Sequence, residues 1–209
     1  MNKKEIIKKI ENEKIIAVVR YNNTEKINNI VKSIVSGGIN IIEITTTVPN
    51  SVEIIKNLSN IYSDSDVVIG AGTILDEDMA KDAIEAGASF IVSPILNKDI
   101  ILECNELNIL SVPGIATPTE AFNAMQYGAE VLKLFPSNMF SPKIIKTYKG
   151  PFPNIKIMPT GGINLDNVRD WIDNGAIAVG IGGELLKNFN GENYEEITNT
   201  AKLFREKIL

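Results

Sequence analysis

Short apolar, β-branched runs recur along the chain, and amphipathic segments separate them. The runs fall at 15–20 (IIAVVR), 41–47 (IIEITTT), 67–73 (VVIGAGT), 90–95 (FIVSPI), 110–115 (LSVPGI), 131–136 (VLKLFP), 156–161 (KIMPTG) and 178–182 (AVGIG). They predict eight strands. The segments near 24–36, 51–62, 77–86, 98–107, 118–127, 142–148 and 166–173 carry helical periodicity, and a last helix is expected over about 192–207. Continuous apolar strands alternating with helices indicate parallel strands buried on both faces. Before the first strand, Ile6, Ile7 and Ile10 alternate with charges as in a short amphipathic helix. This basic stretch has no apolar core of the kind a secretory signal carries.

Boundary residues agree with the periodicity. Thr117-Pro118-Thr119-Glu120 reads as a capping box with proline at the first helical position, and Ser141-Pro142 reads as a similar helix opening. Helices are expected to close at Gly37-Gly38, Gly87, Gly128 and Gly175, where a left-handed residue is needed. These glycines sit in a weak repeat, SGGIN, EAGAS, QYGAE and DNGAI, at intervals of 49, 41 and 47 residues from Gly38. Each interval fits two strand–helix units. The expected fold is therefore α/β, a (β/α)8 TIM barrel with an additional N-terminal helix, in one domain over residues 1–209. A doubly wound open sheet is the structural alternative.

Composition narrows the chemistry. With 209 residues, 44% hydrophobic and 22% charged, the chain has the makeup of an ordinary soluble globular protein. A net charge of −5 argues against a nucleic-acid-binding surface, and no apolar run approaches a membrane span. The single Cys104 fits a reducing, cytoplasmic setting. The absence of histidine removes a Ser-His-Asp triad and the commonest transition-metal ligand, while an oxygen-ligand site remains open.

Against that background Lys133 stands out, because it interrupts the apolar run Val131–Pro136. Burying an ammonium is costly, and a neutral lysine amine is a nucleophile that forms Schiff bases with carbonyl compounds. A lysine whose stem packs while its amine reaches water is the plainer reading. Period two places Val131, Lys133 and Phe135 on one face. Glu43 is a second charge inside an apolar strand; it could be a structural ion pair with Lys133 or a proton-transfer group. In a barrel the active site lies at the C-terminal ends of the strands. Those ends carry Arg20, Thr45–Thr47, Thr73, Ser93-Pro94, Pro113-Gly114, Phe135, Thr160-Gly161-Gly162 and Gly182-Gly183. The two glycine pairs follow the last two strands, where barrels frequently bind phosphate; plain tight turns are the alternative.

Over nearly its whole length the chain resembles the KDPG/KHG aldolase family, the class I 2-keto-3-deoxy-6-phosphogluconate and 4-hydroxy-2-oxoglutarate aldolases. The carriers are Glu43-Ile44-Thr45, Gly70–Thr73, Ser93-Pro94, Pro113-Gly114, Lys133–Pro136, Gly150-Pro151-Phe152 and Pro159–Ile163. The resemblance implies a (β/α)8 barrel, usually a homotrimer, acting on a small 2-keto acid without metal or cofactor. It implies that Lys133 forms the Schiff base and Glu43 moves protons. Thr73 and Thr160 would lie near bound pyruvate, with Pro94 among the substrate-binding residues. Phe135 would pack beside the lysine, and Gly161, Gly162, Gly182 and Gly183 would hold phosphate. Two positions depart from the family pattern. Thr47 stands where many members carry a carboxylate-binding arginine, a charge that Arg20 could supply. Glu184 stands where some relatives have a serine touching phosphate. Other enzyme and binding classes remain open on the residues alone: a phosphosugar isomerase or epimerase, or a non-catalytic sugar-phosphate binder.

Overall fold

The computed structural model describes residues 1–208. Six strands, β1 (Ile15–Val19), β2 (Ile41–Thr45), β3 (Val68–Gly72), β4 (Phe90–Val92), β5 (Leu110–Val112) and β9 (Val179–Ile181), form a parallel sheet in the order β5-β4-β3-β2-β1-β9. A second parallel sheet joins β6 (Gly114–Ile115), β7 (Leu132–Leu134) and β8 (Ile157–Pro159) in that order. Parallel neighbours need crossover connections, which the helices provide. They are α2 (Ile27–Ser36), α3 (Ser51–Ile61), α4 (Glu77–Glu85), α5 (Lys98–Glu106), α6 (Pro118–Gln126), α7 (Ile144–Lys149) and α8 (Val168–Asp173). The last of the described helices, α9 (Tyr194–Ile208), packs against α2 and α8.

The expected fifth strand, 110–115, is two strands, and Pro113 is the reason. Proline has no N–H to donate on the side that faces β7. Its carbonyl instead accepts from the Lys133 amide at 2.8 Å, and Gly114 then pairs with Lys133. The chain thus takes up β7 at Pro113 while the Gly114 amide still donates to the Ile95 carbonyl after β4 at 3.1 Å. At the other junction Thr160 bridges Gly180, and the Ile177 amide donates to the Ile157 carbonyl at 3.1 Å.

Most expected helix ends hold. Thr117 and Glu120 form the capping box, and Gly38, Gly87, Gly128 and Gly175 all take positive φ. Two openings differ. Ser141-Pro142 does not start α7: the Ser141 and Pro142 carbonyls accept from Ile144 and Ile145, a tight i→i+3 turn, and the helix follows it. The first turn expected for α2, Thr24–Lys26, is likewise a 3₁₀ turn.

Alternation along each strand separates two cores. One face, including Ala17, Ile42, Ile44, Ala71, Ile91, Leu132, Leu134 and Val179, packs against the helices. The other face carries Ile16, Ile41, Val68, Phe90, Leu110, Val131, Met158 and Ala178. These cluster with Ile6, Ile7 and Ile10 from α1 (Lys3–Glu13). Each isoleucine so buried contributes about 1.5–3 kcal/mol. Polar ties fix the helix across the strand starts. Lys3 pairs with Glu130 at 3.0 Å, Lys156 pairs with Glu11 at 2.7 Å, and the Asn40 amide donates to Glu13 at 3.2 Å. Glu130, Lys156 and Asn40 stand just before β7, β8 and β2 respectively. The N-terminal helix therefore seals the N-terminal end of the strands and leaves the other end for chemistry.

Candidate active site

Glu43 and Lys133 reach the same interior space from the two different sheets. Lys133 Nζ lies 3.9 Å from Glu43 Oε1, and the side chains are 6% and 0% exposed. That distance exceeds a hydrogen bond but is one that a water or a substrate oxygen can bridge. Glu43 fits because β3 has no side chain beside it. A Cβ placed on Gly72 would come within 1.9 Å of Glu43 Oε1. The carboxyl fills that gap, so any side chain at position 72 would displace it.

Both Glu43 oxygens are buried without a hydrogen-bond partner among the described residues, and so is Thr160 Oγ1. Burial raises the Glu43 carboxyl above its ordinary pKa, while Lys133 and then Arg20 pull it down by Coulomb attraction; burial wins. The ion pair and the raised pKa thus act in opposite directions on one group, which suits a carboxyl that must both hold and release a proton. Buried polar atoms are usually paired in folded proteins, so the two Glu43 oxygens beside Lys133 are groups that a bound water or substrate can satisfy.

Just past the end of β7, two residues after Lys133, Phe135 places its ring centroid 5.1 Å from Lys133 Nζ. Phe135 lines a cavity of about 620 Å³, together with Arg20, Tyr21, Thr160, Gly161, Gly162, Gly182, Gly183 and Glu184. Both glycine pairs therefore meet in one site, along with Arg20. Gly161 and Gly162 have φ of 101° and 75°, a conformation that other residues rarely adopt. The loop around them is braced: Ser137 Oγ donates to the Gly161 carbonyl at 2.6 Å, and Asn167 Nδ2 donates to the Gly162 carbonyl at 2.9 Å.

Lys133 and Glu43 lie behind Phe135 and Thr160 and are not themselves lining residues of this cavity, and three expected substrate-binding residues do not line it either. Thr47 is exposed, with its hydroxyl 2.9 Å from that of Thr45. Pro94 is half-buried against Gly114, where a Cβ would meet the Pro94 carbonyl at 2.3 Å. Thr73 is half-buried with φ of 61°, a strained conformation for a β-branched residue, and its carbonyl accepts from Thr46 Oγ1 at 2.8 Å. Conversely, sequence reasoning missed Tyr21, Ile163 and Leu186 as lining residues and Ser137 as a brace. Tyr21 follows Arg20 directly and Ser137 follows the Lys133–Pro136 run, so continuing each strand-end reading by one residue would have found both.

The family model described as KDPG and KHG aldolase matches residues 6–200. The 2-dehydro-3-deoxy-phosphogluconate aldolase of Haemophilus influenzae is 33% identical over 208 residues, covering 98% of this chain and 95% of that one. The 2-dehydro-3-deoxy-6-phosphogalactonate aldolase of Escherichia coli K12 is 31% identical over 199 residues, 93% of this chain and 96% of that one. Among solved structures, the KDPG aldolase of Legionella pneumophila, with pyruvate captured as a covalent carbinolamine, superposes with a TM-score of 0.84 at 26% identity. That match covers 91% of this chain and 93% of the other.

Proposed function

The chain belongs to the KDPG and KHG aldolase family, and from that premise we propose that it is a class I aldolase in which Lys133 carries the substrate as an imine. The observation that carries this reading is the buried pair of Lys133 and Glu43, with its orphaned carboxyl oxygens. The Lys133 amine attacks the keto carbon of a 4-hydroxy-2-keto acid, and loss of water from the carbinolamine leaves an imine. Once protonated, the imine accepts the electron pair of the C3–C4 bond. Glu43, through a bridging water, takes the proton of the C4 hydroxyl as that bond breaks and an aldehyde departs. The remaining enamine regains a proton at C3, and water releases pyruvate from Lys133.

The other site residues take supporting roles. Phe135 keeps the surroundings of the amine apolar. Thr160 offers its unpartnered hydroxyl to the pyruvate half, and Thr73 and Pro94 follow β3 and β4 at the same end of the strands. Arg20 supplies the positive charge for the substrate carboxylate that Thr47 lacks. Gly161, Gly162, Gly182 and Gly183 present backbone amides to the distal end of the substrate. KDPG, cleaved to pyruvate and glyceraldehyde 3-phosphate, and 4-hydroxy-2-oxoglutarate, cleaved to pyruvate and glyoxylate, are the candidate substrates. No metal or cofactor takes part in this scheme, and cleavage is expected to survive exhaustive chelation.

The architecture proposed with this function is one domain over residues 1–209, a (β/α)8 barrel in which the two sheets close on each other. The pairing of Pro113-Gly114 on both the β4 and β7 sides and the bridge from Thr160 to Gly180 support that closure. A homotrimer is the assembly that family membership suggests, and sedimentation equilibrium at three times the 22.9 kDa chain mass would establish it. Among the described residues no helix is long and apolar enough to cross a membrane, and a cytoplasmic location fits the single thiol.

Trapping tests the central claim. Incubation with pyruvate and borohydride is expected to leave a reduced pyruvyl group on Lys133, read by peptide mass spectrometry. An unmodified protein, or an adduct on another lysine, would sink the Schiff-base reading. A phosphosugar isomerase or a sugar-phosphate binder gives no such adduct.

A further inference from the structure

Glu184 is the one anionic side chain lining the 620 Å³ cavity, and Arg20 is the one cationic one. It follows directly on Gly183, where an added Cβ would meet nothing within 4 Å, so the space beside that glycine is open. A substrate end that approaches the Gly182-Gly183 amides therefore enters next to a carboxylate. Lys187 pairs with Glu184 at 3.3 Å, but its side chain is 65% exposed and it does not line the cavity. Such an exposed i,i+3 pair is weak and does little to neutralise the carboxylate of this lining residue. A phosphate at that end carries up to two negative charges and is repelled, whereas a hydroxyl donates a hydrogen bond to the same oxygens.

We propose that Glu184 is a specificity-determining residue that weakens selection for a phosphorylated distal end and admits 2-keto-3-deoxy acids ending in hydroxyls. This inference rests on the aldolase reading. Arg20 does not compensate, because in that reading it is engaged by the substrate carboxylate. The backbone amides of the glycine loops remain available to either kind of end, so the carboxylate tips the balance.

The experiment compares kcat/KM for 2-keto-3-deoxygluconate and its 6-phosphate in the native protein, Glu184→Gln and Glu184→Ser. Both variants are expected to raise the ratio of phosphorylated to unphosphorylated cleavage by about tenfold, the scale of one removed charge near a partly solvated dianion. The native ratio is also expected to rise with ionic strength as salt screens the repulsion, and the ratio for Glu184→Gln to change less in that direction. A ratio unmoved by either substitution, or moved toward the unphosphorylated acid, would overturn the proposal while the Lys133 adduct still formed. No cleavage of either acid and no adduct would overturn the aldolase reading, and this proposal with it.

Discussion

The inward faces of the strands differ sharply between their two ends. At β7 the same face carries Val131, just before the strand, and then, two residues on, Lys133; on β2 it carries Ile41 and then Glu43. Two residues span roughly 6.5 Å. Below that step the interior is filled by aliphatic and aromatic side chains and sealed by three isoleucines of α1. Above it polar groups fill the space: the glycines at 72 and 180 leave room that Glu43 and Thr160 occupy. The lower half supplies stability without chemistry. The upper half accepts unpaired polar atoms that the lower half must offset.

Substitutions at the two levels are expected to separate these roles. The largest effect falls at the nucleophile: Lys133→Ala should abolish cleavage and borohydride adduct formation while the circular dichroism spectrum stays native. Residual turnover near the native rate would move the chemistry elsewhere. Glu43→Gln should slow cleavage by about 10²–10⁴, the usual worth of general acid–base catalysis, with the adduct on Lys133 still detectable. Unimpaired turnover there would make Glu43 a structural partner only. Below the pleat, Ile10→Ala should cost about 2–5 kcal/mol in denaturant unfolding and leave kcat near native at low temperature. A kcat loss as large as that of the Gln variant would contradict the division.

The smallest effect is in pH dependence. Because burial raises the Glu43 carboxyl, its protonated form persists above the ordinary carboxylate range. The folded state then holds that proton more tightly than the unfolded chain does. Its contribution to stability is full below the unfolded value and is lost as pH rises through the folded value. Unfolding measured across that window should show a downward slope that Glu43→Gln flattens, and equal slopes in both proteins would remove the buried carboxyl as its cause.

Much of this arrangement was legible because period-two alternation is a local signal. Lys133 in an apolar run and Glu43 between isoleucines could be read from neighbours alone. Pro113 was visible too, yet its consequence was not, because a missing amide reveals only that one partner is lost. Which strand takes its carbonyl depends on residues about twenty positions away. The position of Thr47 outside the cavity was equally hidden, since a strand end sets the region a side chain occupies and not the direction it takes. Gly72 illustrates the same limit: the sequence displays the glycine, and only the fold shows that Glu43 occupies its place.

The α1 seal has a kinetic consequence. An interior closed at one end behaves as a vessel with a single mouth, so whatever enters deepest leaves last. On the proposed mechanism the pyruvate half is held at the floor, at Lys133, with the aldehyde half between it and solvent. Release is then ordered, aldehyde first and pyruvate second. In the condensation direction pyruvate must load before the aldehyde arrives. Product inhibition reads this directly: pyruvate should compete with the keto acid and the aldehyde should not, and the reverse pattern would mean that the vessel has a second opening.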